Sequence, residues 1–428
     1  MSGLIKGVVT DGDLRRWLSV YEKPDLNSLI SSVMNSDYVS CNIRDDNITI
    51  ASMFSEGIKI IPILDKHKRI KSIAIKESKA IEIGKHIISK DSQCFVIAEI
   101  GNNHNGDIDL AKKLVDLAID SGADCVKFQM RNLKSLYKNK GIDDDNSAGL
   151  GDQYTLDLLS RFQLSNKELF QVFDYCKIKG KVPLCTPWDL DSLSLLENYG
   201  MEAYKVASAD LTNLELLAAI AKTGKTMICS TGMSTELEIK QAVDLLQNTN
   251  AQYILLHCNS TYPTPNRDVN LRYLERLSSI DQNGIVGYSG HERGYIAPTL
   301  AVALGAKVIE KHFTIDKNME GNDHKVSLLP YEFRKMVEQI RLTEEMMGEG
   351  GERLISQGEY LNREVLAKSL VINQNLPFGE AITRNMIDIK SPGQGLQPYH
   401  IDNLVGKIAQ HDFLKNDFFY KSDLDEIV

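Results

Sequence analysis

The stretches FVIAEIGNNHNG (95–106) and EKHFT (310–314) decide the fold of the middle of the chain. In the first, an apolar run typical of a buried strand carries Glu99 into a loop rich in Gly and Asn. In the second, another apolar run carries Glu310 and His312. Strand-like and helix-like runs alternate between them, so the sequence predicts a barrel that brings both stretches together at its mouth.

Eight short apolar runs have the length and composition of buried strands, and amphipathic runs separate them. They are CFVIAEIG at 94, CVKFQ at 125, VPLCTPW at 182, AYKVAS at 203, TMICST at 226, YILLHCNS at 253, IVGYSG at 285 and VIEKHFT at 308. Eight strand–helix units over about 250 residues are typical of a parallel (β/α)8 barrel. The sequence therefore predicts an α/β protein with a TIM barrel over 90–348.

Length, composition and charge exclude several classes of protein. A chain of 428 residues with 43% hydrophobic content can form one large core and smaller domains. The net charge of -9 argues against a nucleic acid partner, and seven cysteines without CxxC spacing argue against a disulfide framework or structural zinc. With no apolar run long enough for a membrane helix and no secretory signal, we expect a cytoplasmic protein without a membrane partner.

Polar or charged side chains end nearly every predicted barrel strand. Because barrel active sites lie at the carboxyl ends of the strands, these side chains should converge on one rim. They are Glu99, Asn102, Asn103, His104, Lys127, Gln129, Thr186, Lys205, Ser208, Asp210, Ser230, Thr231, Asn259, Ser260, Tyr262, Ser289, His291, Glu310 and His312. A barrel kept only for stability has no need of so many ionisable groups at one end, so the sequence predicts an enzyme.

Two histidines in this set indicate a metal site. A single histidine at the end of a strand is usually structural, but His291 and His312 end adjacent strands. Paired imidazoles with open coordination positions suit a catalytic divalent ion, so we predict both as metal ligands.

The two lysines have two explanations. Lys127 and Lys205 could form structural salt bridges with the acidic groups of the rim. A buried unpaired ammonium is costly, and a phosphorylated substrate would supply the missing anion. We favour the phosphorylated substrate.

Residues 1–85 differ in pattern from the barrel. IKGVVTDGDLRRWL predicts a strand that ends at Thr10 and a helix that begins near Asp13, and a helix and two strands follow. The segment resembles a partial CBS domain, the end of one repeat followed by most of a second. The resemblance implies that Thr10 and Asp13 bind an adenine nucleotide. Because the first repeat lacks its start, a packing module or regulatory remnant without a ligand is the alternative.

The motifs AEIGNNHNG, VKFQ, TPW, YKVASAD, STGM, HCNSTYPTP, GYSGH, EKHFT and GNDHK occur in this order. The series closely resembles the sialic acid synthases, which make N-acetylneuraminic acid and related nonulosonic acids. Residues 360–428 resemble that family's C-terminal SAF (antifreeze-like) domain, a small β-rich module. The resemblance implies a transferase that condenses phosphoenolpyruvate with an open-chain N-acetylmannosamine-type sugar and releases phosphate.

The resemblance also implies roles for single residues. His291 and His312 would bind Mn2+ (or Mg2+ or Co2+), Glu99 would be the general base, and Glu310 would orient the bound groups. Phosphoenolpyruvate would contact Lys127, Thr186, Lys205, Ser208, Ser230, Ser260 and Ser289. The sugar would contact Gln129, Asp210, Tyr262 and Asp323. The SAF domain would reach over the partner's active site in a swapped homodimer; a module that only stabilises the barrel is the alternative.

Three positions depart from the family's usual pattern. Asp210 stands where bacterial neuraminate synthases usually carry Glu, Ser260 where they carry Asn, and Ser391 where they carry an Arg that contacts the N-acetyl group. All three surround the substrate or its amide. The sequence therefore leaves open whether the sugar is N-acetylmannosamine or a 2,4-diacetamido-trideoxy hexose, and we expect the latter to be preferred.

Two rival functions remain open from the sequence alone. One is a metal-dependent pyruvate aldolase on the same barrel. An aldolase that forms a Schiff base would need one lysine of strongly lowered pKa, whereas two lysines with several hydroxyls suit a phosphate. A CBS-regulated binding protein without activity would have no reason to retain Glu99, both histidines and both lysines.

Overall fold

The computed structural model describes residues 4–10, 13–14, 17, 29–54, 58, 60–75, 80–136, 159–281, 284–348, 350–351 and 353–424. The chain divides into two compact units, Met1–Gly348 and Glu349–Val428. Among the residues described, no helix is both long enough and apolar enough to cross a membrane.

The N-terminal segment forms a small sheet and a hairpin within the larger unit. In chain order come β1 (Cys41–Asn42), α1 (Asn47–Ser52), β2 (Ile60–Leu64) and β3 (Ile70–Ile75), with β1 parallel and β3 antiparallel to β2. The hairpin of β4 (Ile81–Ile83) and β5 (His86–Ile88) follows. Its buried isoleucines, Ile81, Ile83 and Ile88, join a core cluster with apolar side chains of the barrel strands. α1, β2 and β3 agree with the predicted helix and the two strands after it. The strand predicted to end at Thr10 was wrong, because residues 4–10 form only isolated bridges at Leu4 and Val8. The CBS assignment stays a prediction.

Thr10 and Asp13, the predicted nucleotide contacts, bond to each other. Asp13 Oδ2 accepts from the backbone N–H of Thr10 at 2.8 Å and from its hydroxyl at 2.6 Å. In return, the N–H of Asp13 donates to Thr10 Oγ1 at 3.3 Å. These reciprocal bonds have the pattern of a capping box at a helix start. Helix capping therefore explains the pair, and its nucleotide role stays a prediction.

Eight parallel strands close into a barrel, which confirms the predicted fold class. They are β6 (Phe95–Gly101), β7 (Cys125–Met130), β8 (Val182–Pro187), β9 (Ala203–Val206), β10 (Thr226–Ser230), β11 (Tyr253–Cys258), β12 (Val286–Gly290) and β13 (Val308–His312). The ring closes where β13 pairs with β6.

Helices follow the strands around the barrel. They are α2 (Ile108–Asp120), α3 (Leu133–Leu136), α4 (Asn166–Ile178), α5 (Leu190–Tyr199), α6 (Leu214–Lys222), α7 (Glu236–Asn248), α8 (Tyr273–Ile280), α9 (Ile296–Ala303) and α10 (Pro330–Met347). Side chains of Asp107, Ser165 and Thr235 accept backbone N–H groups at the starts of α2, α4 and α7. In α2 the buried residues recur at helical spacing, so one stripe packs against the barrel.

The alternation of side chains along β6 places one acid inside the barrel. Val96, Ala98 and Ile100 belong to the large core cluster that includes helix residues. Phe95 and Ile97 belong to a separate cluster composed largely of barrel-strand residues. Because successive side chains point to opposite faces of a strand, Glu99 shares the inner face with Phe95 and Ile97. It is the last inward residue before the loop, so it faces the carboxyl end of the barrel.

The C-terminal unit has a core of its own. It contains α11 (Gln357–Leu366), β14 (Ser369–Ile372), β15 (Ile387–Lys390) and α12 (Ile401–Leu404), and the two strands pair antiparallel. Leu370, Ile372, Ile387, Phe413 and Phe419 are buried together in this core.

Candidate active site

A cavity of about 360 Å3 lies at the carboxyl ends of the barrel strands. The structure brings most of the predicted site residues together in its wall. They are Glu99, Lys127, Gln129, Thr186, Lys205, Ser208, Ser230, Ser260, Tyr262, Ser289, His291, Glu310, His312 and Asp323.

Asp210 does not line this cavity, although the sequence predicts it as a sugar contact. A short 3-10 helix, Ser208–Asp210, follows β9. With three residues per turn, side chains two positions apart point in different directions. Ser208 therefore lines the cavity while Asp210 is buried beside Asn213, whose amide donates to Asp210 Oδ1 at 3.3 Å. The predicted sugar contact has no support in this placement.

The strand register explains why the charged residues meet. Glu99 on β6 pairs with His312 on β13 on one side and with Lys127 on β7 on the other. Glu310 pairs with Ser289 of β12. In a parallel sheet, residues paired across neighbouring strands lie side by side, so these four strands place their polar groups together.

Two buried acids hold Lys127 between them. Its Nζ lies 3.1 Å from Glu99 Oε2 and 3.1 Å from Glu310 Oε1. Burial alone would raise the pKa of Glu310, but the ammonium groups of Lys127 and Lys205 lower it to about 2. Burial alone would lower the pKa of Lys127, and the two acids raise it instead. Lys127 is therefore a charged bridge between Glu99 and Glu310.

Lys205 has a different environment. Its Nζ donates to Ser230 Oγ at 2.6 Å and to the carbonyl of Val206 at 3.0 Å, while Glu310 Oε1 is 3.8 Å away. Burial lowers the pKa of Lys205. Glu310 Oε1 lies 3.8 Å from this ammonium. An anion bound in the cavity could lie closer and would stabilise the charged form of Lys205.

Hydroxyl groups gather beside Lys205. A Cβ at Gly232 would clash with the hydroxyls of Ser260 and Ser208, the latter at 2.7 Å. Because Gly232 has no side chain, both hydroxyls approach the backbone after β10. Thr186 Oγ1 is also buried in the cavity wall and has no hydrogen-bond partner among the described residues. Hydroxyls near a lysine suit the oxygens of a phosphate or carboxylate.

The two histidines form a neighbouring pair, with ring centroids 5.3 Å apart. His291 Nδ1 lies 2.8 Å from the carbonyl oxygen of Asn259, which can only accept, so Nδ1 carries the proton and Nε2 keeps a free lone pair. His312 Nδ1 is buried without a hydrogen-bond partner in the described part of the chain, and Asp323 Oδ2 is 3.8 Å from it. Burial lowers the pKa of both imidazoles, which favours the neutral, ligating form.

This donor set fits a divalent ion with open coordination positions. A hydrogen bond from the ring nitrogen that does not bind the metal, such as the one from His291 to Asn259, fixes the tautomer of a metal-binding histidine. Within the described ranges, no third His, Cys, Asp or Glu joins the pair closely enough to complete a metal site made of protein ligands alone. An ion held here would therefore keep positions for substrate oxygens or water.

Sequence reasoning missed several residues of the cavity wall. Arg131 Nη2 donates to Gln129 Oε1, and the guanidinium carbon lies 4.5 Å from the Trp188 ring centroid. Gln129 Nε2 in turn donates to Glu99 Oε1 at 2.6 Å. Arg131 therefore orients the Gln129 amide so that its NH2 group faces Glu99. Arg131 follows Gln129 by two residues, a strand spacing that could have indicated it. Other missed residues are Asn105, Phe162, Trp188 and His324.

Ser391 of the smaller unit is engaged locally. Lys368 Nζ donates to Ser391 Oγ at 2.6 Å, and that hydroxyl donates to the carbonyl of Leu366 at 3.2 Å. Lys368, two residues after the end of α11, is thus the cation beside the position where the resemblance expects an arginine.

Comparisons with known proteins match both units. The model of the NeuB family matches residues 114–352, and that of the SAF domain matches residues 367–425. An uncharacterised protein of Methanocaldococcus jannaschii is 41% identical over 80% of this chain and 98% of its own length. N,N'-diacetyllegionaminic acid synthase of Campylobacter jejuni is 38% identical over 75% of this chain and 97% of its own. The crystal structure of N-acetylneuraminic acid synthetase from Leptospira borgpetersenii, in complex with citrate, is 33% identical with a TM-score of 0.61, covering 67% of this chain and 96% of that one.

Proposed function

Because the chain belongs to the NeuB family, we propose that it is a nonulosonic acid synthase that joins phosphoenolpyruvate to an open-chain N-acetylmannosamine-type sugar and releases phosphate. The observation that carries the proposal is the group of buried lysines and hydroxyls that shares one cavity with the histidine pair. Lysines and hydroxyls suit a phosphorylated acid, and the histidines suit an ion that activates an aldehyde.

The anionic substrate would lie against Lys205. In this proposal Lys205 and the nearby hydroxyls hold its phosphate and carboxylate, and Thr186 Oγ1 gains the partner that it lacks among the described residues. Lys127 contributes charge while it bridges the two acids. The proposed contacts are Lys127, Thr186, Lys205, Ser208, Ser230, Ser260 and Ser289.

His291 and His312 would hold the divalent ion, for which we propose Mn2+, with Mg2+ or Co2+ as alternatives. When bound, the ion would act as a Lewis acid toward the sugar aldehyde. The tautomer fixed at His291 and the buried Nδ1 of His312 support these two residues as its ligands.

We propose Glu99 as the general base. Addition of C3 of phosphoenolpyruvate to the aldehyde carbon forms the new C–C bond and leaves a cation at C2, while the aldehyde oxygen gains a proton. Glu99 then takes a proton from the water that attacks C2, and the tetrahedral intermediate expels phosphate. The amide of Gln129 donates to one oxygen of the carboxylate and the ammonium of Lys127 lies 3.1 Å from the other, so both orient Glu99, which lines the cavity. Glu310, on the other side of Lys127, would orient the bound groups.

The sugar would contact Gln129, Tyr262 and Asp323, which line the cavity. The Tyr262 ring lies 4.1 Å from that of His291, centroid to centroid, so a sugar held by Tyr262 sits next to the proposed ion. A site that lacks one polar anchor loses discrimination for the group that anchor held. Because Ser391 stands where the resemblance expects the arginine for the N-acetyl group, we propose that the chain favours a 2,4-diacetamido-trideoxy hexose over plain N-acetylmannosamine.

Phosphate release tests the synthase, and competition tests its sugar. Release from phosphoenolpyruvate should require Mn2+ and a mannosamine, and the diacetamido sugar should have the higher kcat/KM. A several-fold higher kcat/KM for plain N-acetylmannosamine would overturn the sugar preference and leave the synthase in place. Swapped dimers through the SAF domain remain a prediction, which sedimentation of the full chain and of a variant cut after residue 348 would test.

One observation favours an aldolase as the second candidate function. Burial lowers the pKa of Lys205, which is the requirement for a lysine that forms an imine with pyruvate. Borohydride treatment in the presence of pyruvate would trap such an imine as a mass increase on the peptide containing Lys205. We expect no increase, because the Nζ atom is already engaged by Ser230 and the Val206 carbonyl.

A further inference from the structure

A buried ion pair lies behind the histidines, on the outer side of the barrel wall. Lys311 is fully buried and stands in β13 between Glu310 and His312, both of which line the cavity. Because side chains alternate along a strand, Lys311 points away from the cavity. Its partner Glu292 is 2% exposed and directly follows His291 in the chain. Each member of the pair is therefore one residue from a proposed metal ligand.

Three side chains satisfy one another in this pair. Lys311 Nζ donates to Glu292 Oε1 at 2.7 Å and to the backbone carbonyl of Glu292. The Tyr288 hydroxyl donates to Glu292 Oε2 at 2.6 Å. A Cβ at Gly290 would lie 2.5 Å from Glu292 Oε2 and 2.7 Å from Tyr288 Cε1. Glycine at this position therefore leaves room for the Glu292 carboxylate beside Tyr288. We call Tyr288, Glu292 and Lys311 the Glu292 network.

Stability alone is a poor explanation for the Glu292 network. A buried ion pair contributes little net stability, because the desolvation of both charges offsets their attraction. Its geometry, however, is directional: Lys311 holds both the side chain and the backbone of Glu292. The bond from His291 to Asn259 fixes the rotation of one imidazole but not the distance between the two strand ends. The ladder between β12 and β13 pairs Gly290 with Lys311 and stops before His291, and the Glu292 network ties the residue after His291 to β13.

We propose that the Glu292 network is a positioning device that sets the separation of His291 and His312 for the divalent ion. The inference rests on the proposed function, since it concerns the ion proposed there. None of the three residues lines the cavity, so each acts through the histidines rather than on substrate. The network should therefore control affinity for the ion more than affinity for phosphoenolpyruvate.

Mn2+ titration of the full chain tests this assignment. The variants are Tyr288→Phe, which removes one hydrogen bond, and the double variant Lys311→Met/Glu292→Gln, which removes both charges together. The matched control is Tyr253→Phe. Tyr253 is similarly buried and donates to Asp281 at 2.9 Å, but it is the first residue of β11, at the end of the strand opposite to the cavity. Calorimetry would give the Kd for Mn2+ and, separately, for phosphoenolpyruvate, and the thermal transition would report folding.

We expect Mn2+ affinity to fall about 10- to 100-fold in the double variant, the usual range for groups that orient metal ligands. Tyr288→Phe should lose several-fold, Tyr253→Phe should bind as the unaltered chain does, and phosphoenolpyruvate affinity should stay within twofold. Equal Mn2+ affinity in a folded double variant would overturn the assignment. If the double variant does not fold, equal affinities of Tyr288→Phe and Tyr253→Phe would overturn it. If the unaltered chain binds no Mn2+, the metal proposal fails too; if it binds and the variants bind equally, this inference alone fails.

Discussion

Replacing Lys127 with Met tests whether this ammonium stabilises the fold by neutralising Glu99 and Glu310. Lys127 Nζ lies 3.1 Å from a carboxylate oxygen of Glu99 and 3.1 Å from one of Glu310, and all three side chains are at most 6% exposed. At an effective dielectric of about 20, each contact is worth roughly 5 kcal/mol of attraction. Removing the charge also removes its desolvation cost, so we expect a net loss of about 3 to 5 kcal/mol, as for other broken buried ion pairs.

Thermal unfolding of the full chain measures this loss. For a large domain each kcal/mol lowers the Tm by about 2 to 4 °C, so Lys127→Met should melt roughly 6 to 20 °C lower. Adding Glu310→Gln removes the surplus negative charge and should recover most of the Tm. Lys225→Met is the matched control. The ion pair of Lys225 with Glu197 is 2.6 Å long but about one-third exposed, so its loss should lower the free energy of unfolding by about 1 kcal/mol or less. A Lys127→Met protein that melts like the control, or no recovery in the double variant, would refute the reasoning.

Three further predictions concern the ligands and pH. Lys205→Met should weaken phosphoenolpyruvate binding by roughly 2 to 5 kcal/mol in calorimetry, because a buried charge partner is lost; unchanged affinity would place the anion elsewhere. Excess EDTA and His312→Ala should each abolish turnover, while His257→Ala, a buried histidine outside this cavity, should stay active; full activity in EDTA would rule out the ion. The pKa of Glu310 is lower in the folded chain than the ordinary 4.5, so its stabilising contribution is present above that value and is lost as pH falls toward about 2. The Tm of Glu310→Gln should therefore fall less steeply across this acid range than that of the unaltered chain.

The barrel and most of its rim could be predicted from the sequence because both follow from local patterns. Short apolar runs specify strands, and the residue that ends each run specifies the rim. His291, His312 and Lys205 could be predicted as rim residues from these two patterns alone. Asp210 is the exception: the sequence puts it at the rim, whereas a 3-10 turn after β9 directs it to Asn213, and its sugar contact stays a prediction.

Contacts across several strands could not be read from the sequence. The bridge from Lys127 to both Glu99 and Glu310 depends on the register of β13, β6 and β7, and no spacing along the chain encodes that register. The position of Arg131 depends on Trp188, which lies 57 positions later and beyond another strand. Sequence reasoning therefore found the charged groups but could not tell which of them already had partners.

The most direct test of the synthase uses phosphoenolpyruvate, Mn2+ and the diacetamido sugar in water enriched in oxygen-18. The proposed mechanism has water attack C2 with Glu99 as the general base, so the bond that breaks is the one between C2 and the phosphate oxygen. It predicts phosphate that forms only when the sugar is present and that carries no oxygen-18. Phosphate that forms without the sugar, or that carries the label because water attacked phosphorus, would contradict it.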